Sequence, residues 1–194
     1  MHSRNRKPAQ ICVFCGAKSG TFDGYTEFAE RLGTELARQD IGLVYGGSRL
    51  GLMGSIAQAV LAEGGAVTGI IPAHLIEKEK AAGGNTQLFV VKSMHERKNL
   101  MYRLSDGFVA LPGGFGTMDE LLEIATWAKL SLHTKPITVA NVDGYFDSVL
   151  TWFDRAVTDG FVGADERGLV RSAETVDEVL EHLHAGVEAA ELPV

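Results

Sequence analysis

Short apolar runs alternate along this chain with stretches in which hydrophobic residues recur every three or four positions. The runs at 10–15, 41–45, 66–71, 88–91, 107–111 and 136–140 have strand length, and 169–171 is a short last one. Between them the helical period places helices at about 23–39, 52–62, 93–104, 117–130, 146–158 and 175–185; Phe28, Leu32 and Leu36, with Ile41 just beyond the end, carry it in the first. Glycine or proline closes several elements: Gly46-Gly47 the second strand, Gly64-Gly65 the second helix, Pro72 the third strand. Residues 74–86 are irregular and charged, with a turn at Gly83-Gly84-Asn85. The strands are continuously apolar rather than alternating, as expected of a sheet covered on both faces. Strands of this kind alternating with helices predict one α/β domain, a Rossmann-like doubly wound parallel sheet flanked by helices. The domain is placed at 9–186, with tails at 1–8 and 187–194. Such sheets bind ligands at the carboxyl ends of their strands. The turns at Gly46-Gly47 and Gly113-Gly114 and the segment carrying Arg97 all follow strands, so they are expected on one rim.

Composition changes this picture little. A chain of 194 residues, 45% hydrophobic and 22% charged, suits one globular domain. A net charge of −7 argues against nucleic acid as a primary partner but not against a small anion held locally. No apolar run approaches the ~20 residues of a membrane span. Arg4, Arg6 and Lys7 are not followed by an apolar segment, unlike a secretory signal. Cys12 and Cys15 form a C-x-x-C within a strand, where residues three apart point to opposite faces. They read as separate buried thiols in a reducing cytoplasm rather than a redox or zinc pair. His74, His95 and His133 lack ligand spacing with carboxylates, so no metal is expected; no cofactor is expected either.

The densest chemistry lies in Leu111-Pro112-Gly113-Gly114-Phe115-Gly116-Thr117-Met118-Asp119-Glu120. These glycines sit between a strand and a helix, where free N–H groups at the helix start make an anion site. The competing explanation is a capping box, Thr117 capping the helix and Glu120 reaching back. That box alone would not need three glycines. In the preceding helix Met94, Arg97, Met101 and Leu104 share one face, with Lys98 at its edge. Two cations beside an apolar stripe either snorkel to solvent or meet an anionic ligand; a phosphate would pair with both. Residues 46–54 have the spacing GG-x3-G-x2-G, which is not a dinucleotide fingerprint, and no ribose-binding carboxylate ends the second strand. Arg49 is either a further phosphate cation or a surface residue.

Pro112-Gly113-Gly114-Phe115-Gly116-Thr117-Met118-Asp119-Glu120 resembles the PGGxGTxxE signature of the LOG family, cytokinin-activating phosphoribohydrolases often labelled lysine decarboxylases. Arg97-Lys98 is similar to the family's Arg-Lys pair, and 46–54 to its glycine-rich turn. The resemblance covers about 11–162. It implies hydrolysis of N6-substituted adenosine 5′-monophosphates, with AMP itself a further candidate, to free base and ribose 5-phosphate, and a homodimer. It also implies Arg97 and Glu120 as the catalytic pair. Contacts to substrate are implied for Glu79, Lys98, Gly46, Gly47, Gly113, Gly114, Phe115, Gly116, Thr117, Met118, Asp119 and Thr126. A carboxylate beside a phosphate is repelled by it, by about 4 kcal/mol at ~4 Å and an effective dielectric near 20. Glu120 is therefore expected to face the sugar, where positive charge develops as the glycosidic bond breaks. Ile124, Trp127, Ala128 and Leu130 exceed one helix face, which fits either a subunit contact or an internal helix. The rival reading is a non-catalytic nucleotide or molybdenum-cofactor carrier of similar fold, which would need the amides but not Arg97 with Glu120. Lysine decarboxylation would require a cofactor-anchoring lysine in a much larger fold.

Overall fold

A computed structural model describes residues 9–190 apart from Ala82 and Asn85. The parallel sheet comprises β1 (Gln10–Phe14), β2 (Gly42–Tyr45), β3 (Val67–Pro72), β4 (Gln87–Val91), β5 (Gly107–Ala110), β6 (Ile137–Ala140) and β7 (Val170–Ala173), in the order β4-β3-β2-β1-β5-β6-β7. Every strand pair is parallel. The helices are α1 (Gly24–Arg38), α2 (Gly51–Ala62), α3 (Met94–Leu104), α4 (Phe115–Lys129), α5 (Asp147–Thr158), the single turn α6 (Ala164–Arg167) and α7 (Val176–Ala190).

Continuous apolar strands work here because successive side chains enter different cores. Ile11, Val13 and Cys15 pack with Leu32, Leu36, Ile56 and Leu183 of α1, α2 and α7. Cys12 and Phe14 pack on the other side with Met101, Leu121, Ile124 and Phe153 of α3, α4 and α5. The two thiols thus face opposite cores, buried and unpaired, as their strand spacing predicts. Burial pushes both well above the ordinary thiol range. The edge strands β4 and β7 are only partly covered.

The predicted elements form, with shifted ends. α4 starts at Phe115, two residues before Thr117, because Gly114 takes the cap position. The helix predicted to close at 185 continues to Ala190, so residues 187–190 extend it; residues 1–8 and 191–194 lie outside the described residues. α6 and two short 3-10 turns, Ala73–Leu75 and Val142–Gly144, were not expected. No helix among the described residues is long and apolar enough to cross a membrane.

The chain winds outward from β1 to β4, then returns to place β5 against the other edge of β1. The direction of winding reverses between β1 and β5, so the chain leaves their carboxyl ends towards opposite faces of the sheet, α1 on one and α4 on the other, and a crevice opens there.

Candidate active site

That crevice is a cavity of about 480 Å³. Its walls come from the turn after β1, the β2 end at Gly46, Glu79, Arg97 and Met101 of α3, and the 112–120 segment. The two central turns are stitched together: the Gly16 N–H donates to the Pro112 carbonyl at 3.1 Å, and Leu111 N–H to Phe14 O at 2.9 Å.

Over the cavity floor, α4 begins without a side-chain cap at Gly114. Its first amides, those of Phe115, Gly116 and Thr117, have no intrahelical acceptor to reach. Thr117 is the third helical residue, not the cap, and Glu120 lies a full turn into α4, so the capping box does not form. The glycines then have separate reasons. A Cβ on Gly113 would lie 2.0 Å from Thr117 Oγ1, whereas one on Gly114 or Gly116 would meet no heavy atom within 4 Å. The last two therefore keep space open above the amides rather than relieve packing.

Arg97 is 6% exposed. Its Nη2 donates to the Gly46 carbonyl at 3.2 Å and its Nε is buried without a partner. A Cβ on Gly46 would sit 1.9 Å from that Nη2, so only glycine admits the guanidinium there. Glu120 is 9% exposed and lines the same cavity. Burial pushes its carboxyl up to about 7; Arg97 pulls it down, Asp119 pushes up, Lys98 pulls down and Glu79 pushes up. No ion pair closes directly between Arg97 and Glu120. Glu79 adds a second buried, unpartnered atom, Oε2. Its segment is tied to the β2 turn, since Ser48 Oγ donates to Glu79 O at 2.7 Å. Arg49 is a surface residue that staples the same segment, through Lys80 O.

The structure therefore brings Gly46, Glu79, Arg97, Gly113, Gly114, Gly116, Thr117 and Glu120 to one cavity. Gly47, with a positive φ of 76°, shapes the turn behind Gly46. Phe115 projects outward, 97% exposed, and Met118 is half-buried against the core beneath α4. Lys98 does not line the cavity: its Nζ pairs with Asp119 at 3.0 Å and Glu123 at 3.1 Å. Thr126 Oγ1 donates to Leu122 O, and the residue borders a separate apolar hollow of about 150 Å³ beside Trp152 and Phe153. Sequence reasoning missed Lys18, Tyr25 and Tyr145, which also line the main cavity. The Tyr145 hydroxyl donates to the Gly113 carbonyl, and its ring meets that of Tyr25 edge-on. Lys18 follows a strand, so the carboxyl-end rule could have found it; the tyrosines carry no spacing signal.

Comparison with known proteins places this site in context. A protein-family model described as "possible lysine decarboxylase" matches residues 53–183. Cytokinin riboside 5′-monophosphate phosphoribohydrolase LOG5 of Arabidopsis thaliana is 46% identical, over 91% of this chain and 77% of its own. The probable phosphoribohydrolase LOGL1 of Oryza sativa subsp. japonica is 48% identical over 88% and 77%. Among solved structures, the Moco carrier protein of Chlamydomonas reinhardtii superimposes with a TM-score of 0.71 over 95% of this chain and 99% of its own, at 23% identity, a likeness of fold. The family match and the plant relatives each span well over half of the sequence, and the chain accordingly belongs to the LOG family.

Proposed function

We propose that this protein hydrolyses the N-glycosidic bond of N6-substituted adenosine 5′-monophosphates, releasing the free base and ribose 5-phosphate. The observation that carries the reading is the convergence of a buried carboxylate, a buried guanidinium and an uncapped helix start in one cavity. The 5′-phosphate would rest on the amides of residues 115–117. The ribose would then extend towards Glu120, with Glu79 Oε2 free to accept from its hydroxyls. Glu120 stabilises positive charge on the sugar and takes a proton from the attacking water. The water oxygen bonds to C1′ as the C1′–N bond breaks, the bonding pair leaves with the purine, and the proton ends on the purine nitrogen. Arg97 keeps Glu120 partly ionised near neutrality and offers its unpartnered Nε to the ligand.

The carrier reading has less support, because the carriers share the fold at 23% identity whereas the plant phosphoribohydrolases reach 45–49%. We further infer a homodimer. Leu122 and Trp152 are exposed in the lining of the Thr126 hollow, and Leu130, Leu132 and Phe161 are exposed on the segments that follow α4 and α5, apolar surface suited to a second subunit. Two unpaired thiols favour a reducing, cytoplasmic setting. The test is a product assay: purified protein with AMP and with N6-isopentenyl-AMP, following free base and ribose 5-phosphate. Release of base is expected. Nucleotide bound without turnover would move the protein to the carrier class.

A further inference from the structure

The Lys98 side chain is only 13% exposed, yet it does not line the cavity. Its ammonium bridges Asp119 at 3.0 Å and Glu123 at 3.1 Å. Those two carboxylates lie four residues apart on α4 and so share one face. The sequence neighbours matter more than the ion pair itself. Lys98 directly follows Arg97 on α3, and Asp119 directly precedes Glu120 on α4. Adjacent helical residues differ by about 100° in direction. Turning Arg97 and Glu120 into the cavity therefore brings Lys98 and Asp119 together alongside it.

We propose that Lys98 is a positioning residue that clasps Asp119 and Glu123, so fixing α4 against α3 and setting the separation of Arg97 and Glu120. The proposal rests on the reading of that pair as the reacting groups. A lysine held by two carboxylates must break both contacts to reach a phosphate, which distinguishes this role from a ligand-binding one. The clasp also acts on the charge of Glu120, which Lys98 favours and Asp119 opposes. The other charged groups acting on Glu120 are Arg97 of α3 and Glu79 of the 73–81 segment.

A mutant cycle tests the clasp. Lys98→Met, the Asp119→Asn/Glu123→Gln double variant and the triple variant are compared for kcat, KM and pH dependence. Each is expected to lose about tenfold or more in kcat with KM within about twofold, since small misplacements of reacting groups are costly. The triple variant should be no worse than either, and Lys98→Arg should recover most of the loss. A higher KM for AMP in Lys98→Met, with Asp119→Asn/Glu123→Gln unimpaired, would make Lys98 a phosphate ligand and overturn the proposal. So would parallel losses of Tm and kcat with an unmoved pH profile. A turnover-independent readout is the Glu120 carboxyl titration followed by NMR, expected to move up in Lys98→Met and down in Asp119→Asn. An unmoved titration counts against the clasp even if the wild-type protein turns nothing over, whereas absent turnover with a moved titration defeats only the hydrolase reading.

Discussion

Replacing Glu120 by glutamine should stabilise the protein while silencing it. The carboxyl is 9% exposed and its pKa is raised from 4.5 to about 7. A group whose folded pKa lies above its unfolded value favours folding below the unfolded pKa and loses that advantage as pH rises through the folded one. The window is therefore about pH 4.5 to 7. At ~1.4 kcal/mol per pH unit, the accumulated cost above pH 7 is on the order of 3 kcal/mol. Glutamine has nearly the same shape and no charge to desolvate. Glu120→Gln should match the wild type in stability at pH 4 and exceed it at pH 8.5, by roughly 6–12 °C in Tm for a domain of this size. Turnover of N6-isopentenyl-AMP should fall by about 10²- to 10⁴-fold, the range for loss of a general base. Thermal melts at the two pH values, beside single-turnover assays, check both halves. Equal melting temperatures at pH 8.5 would refute the burial of an ionised carboxylate, and retained turnover would refute its chemical role.

Three further outcomes follow from the cavity. Arg97→Ala removes the cation that pulls Glu120 down, so the acid limb of kcat/KM should move to higher pH as the efficiency falls; an unmoved profile would separate Arg97 from Glu120. Gly116→Ala adds a methyl group that meets no heavy atom within 4 Å. It should hold or raise stability by about 0.5–1 kcal/mol, as Gly→Ala does inside helices, while raising KM; an unchanged KM would place the phosphate elsewhere. No group of three or more His, Cys, Asp or Glu among the described residues could hold a metal ion, so EDTA dialysis should leave turnover intact, and recovery only with added metal would refute this.

The fold was legible because its signal is local. Ile11, Cys12, Val13 and Phe14 fill two cores at once, and a strand buried on both faces cannot look like anything but an apolar run. Strand order was not legible, since nothing along 10–15 says that its neighbours are 42–45 and 107–110. Thr117 and Glu120 mimic a capping box, but Gly114 takes the cap three residues earlier and shifts both inward by about a turn. Arg97 could be read from the odd charge in its apolar stripe. The partners of Lys98 could not, because Asp119 and Glu123 meet it only through tertiary packing. Tyr145 reaches Gly113 for the same reason, across a separation that spacing does not encode.

The stitching of the β1 and β5 turns also governs when this molecule can first bind anything during its synthesis. Gly16 waits for Pro112, Arg97 rests on Gly46, and Tyr145 closes over Gly113. A nascent chain ending before residue 107 would have β1 to β4 without the wall that completes the crevice. Nucleotide should accordingly be unable to chaperone the first half of the chain. Its stabilising effect would come only after β5 has slotted in beside β1, acting on the finished domain and slowing its unfolding rather than guiding its assembly.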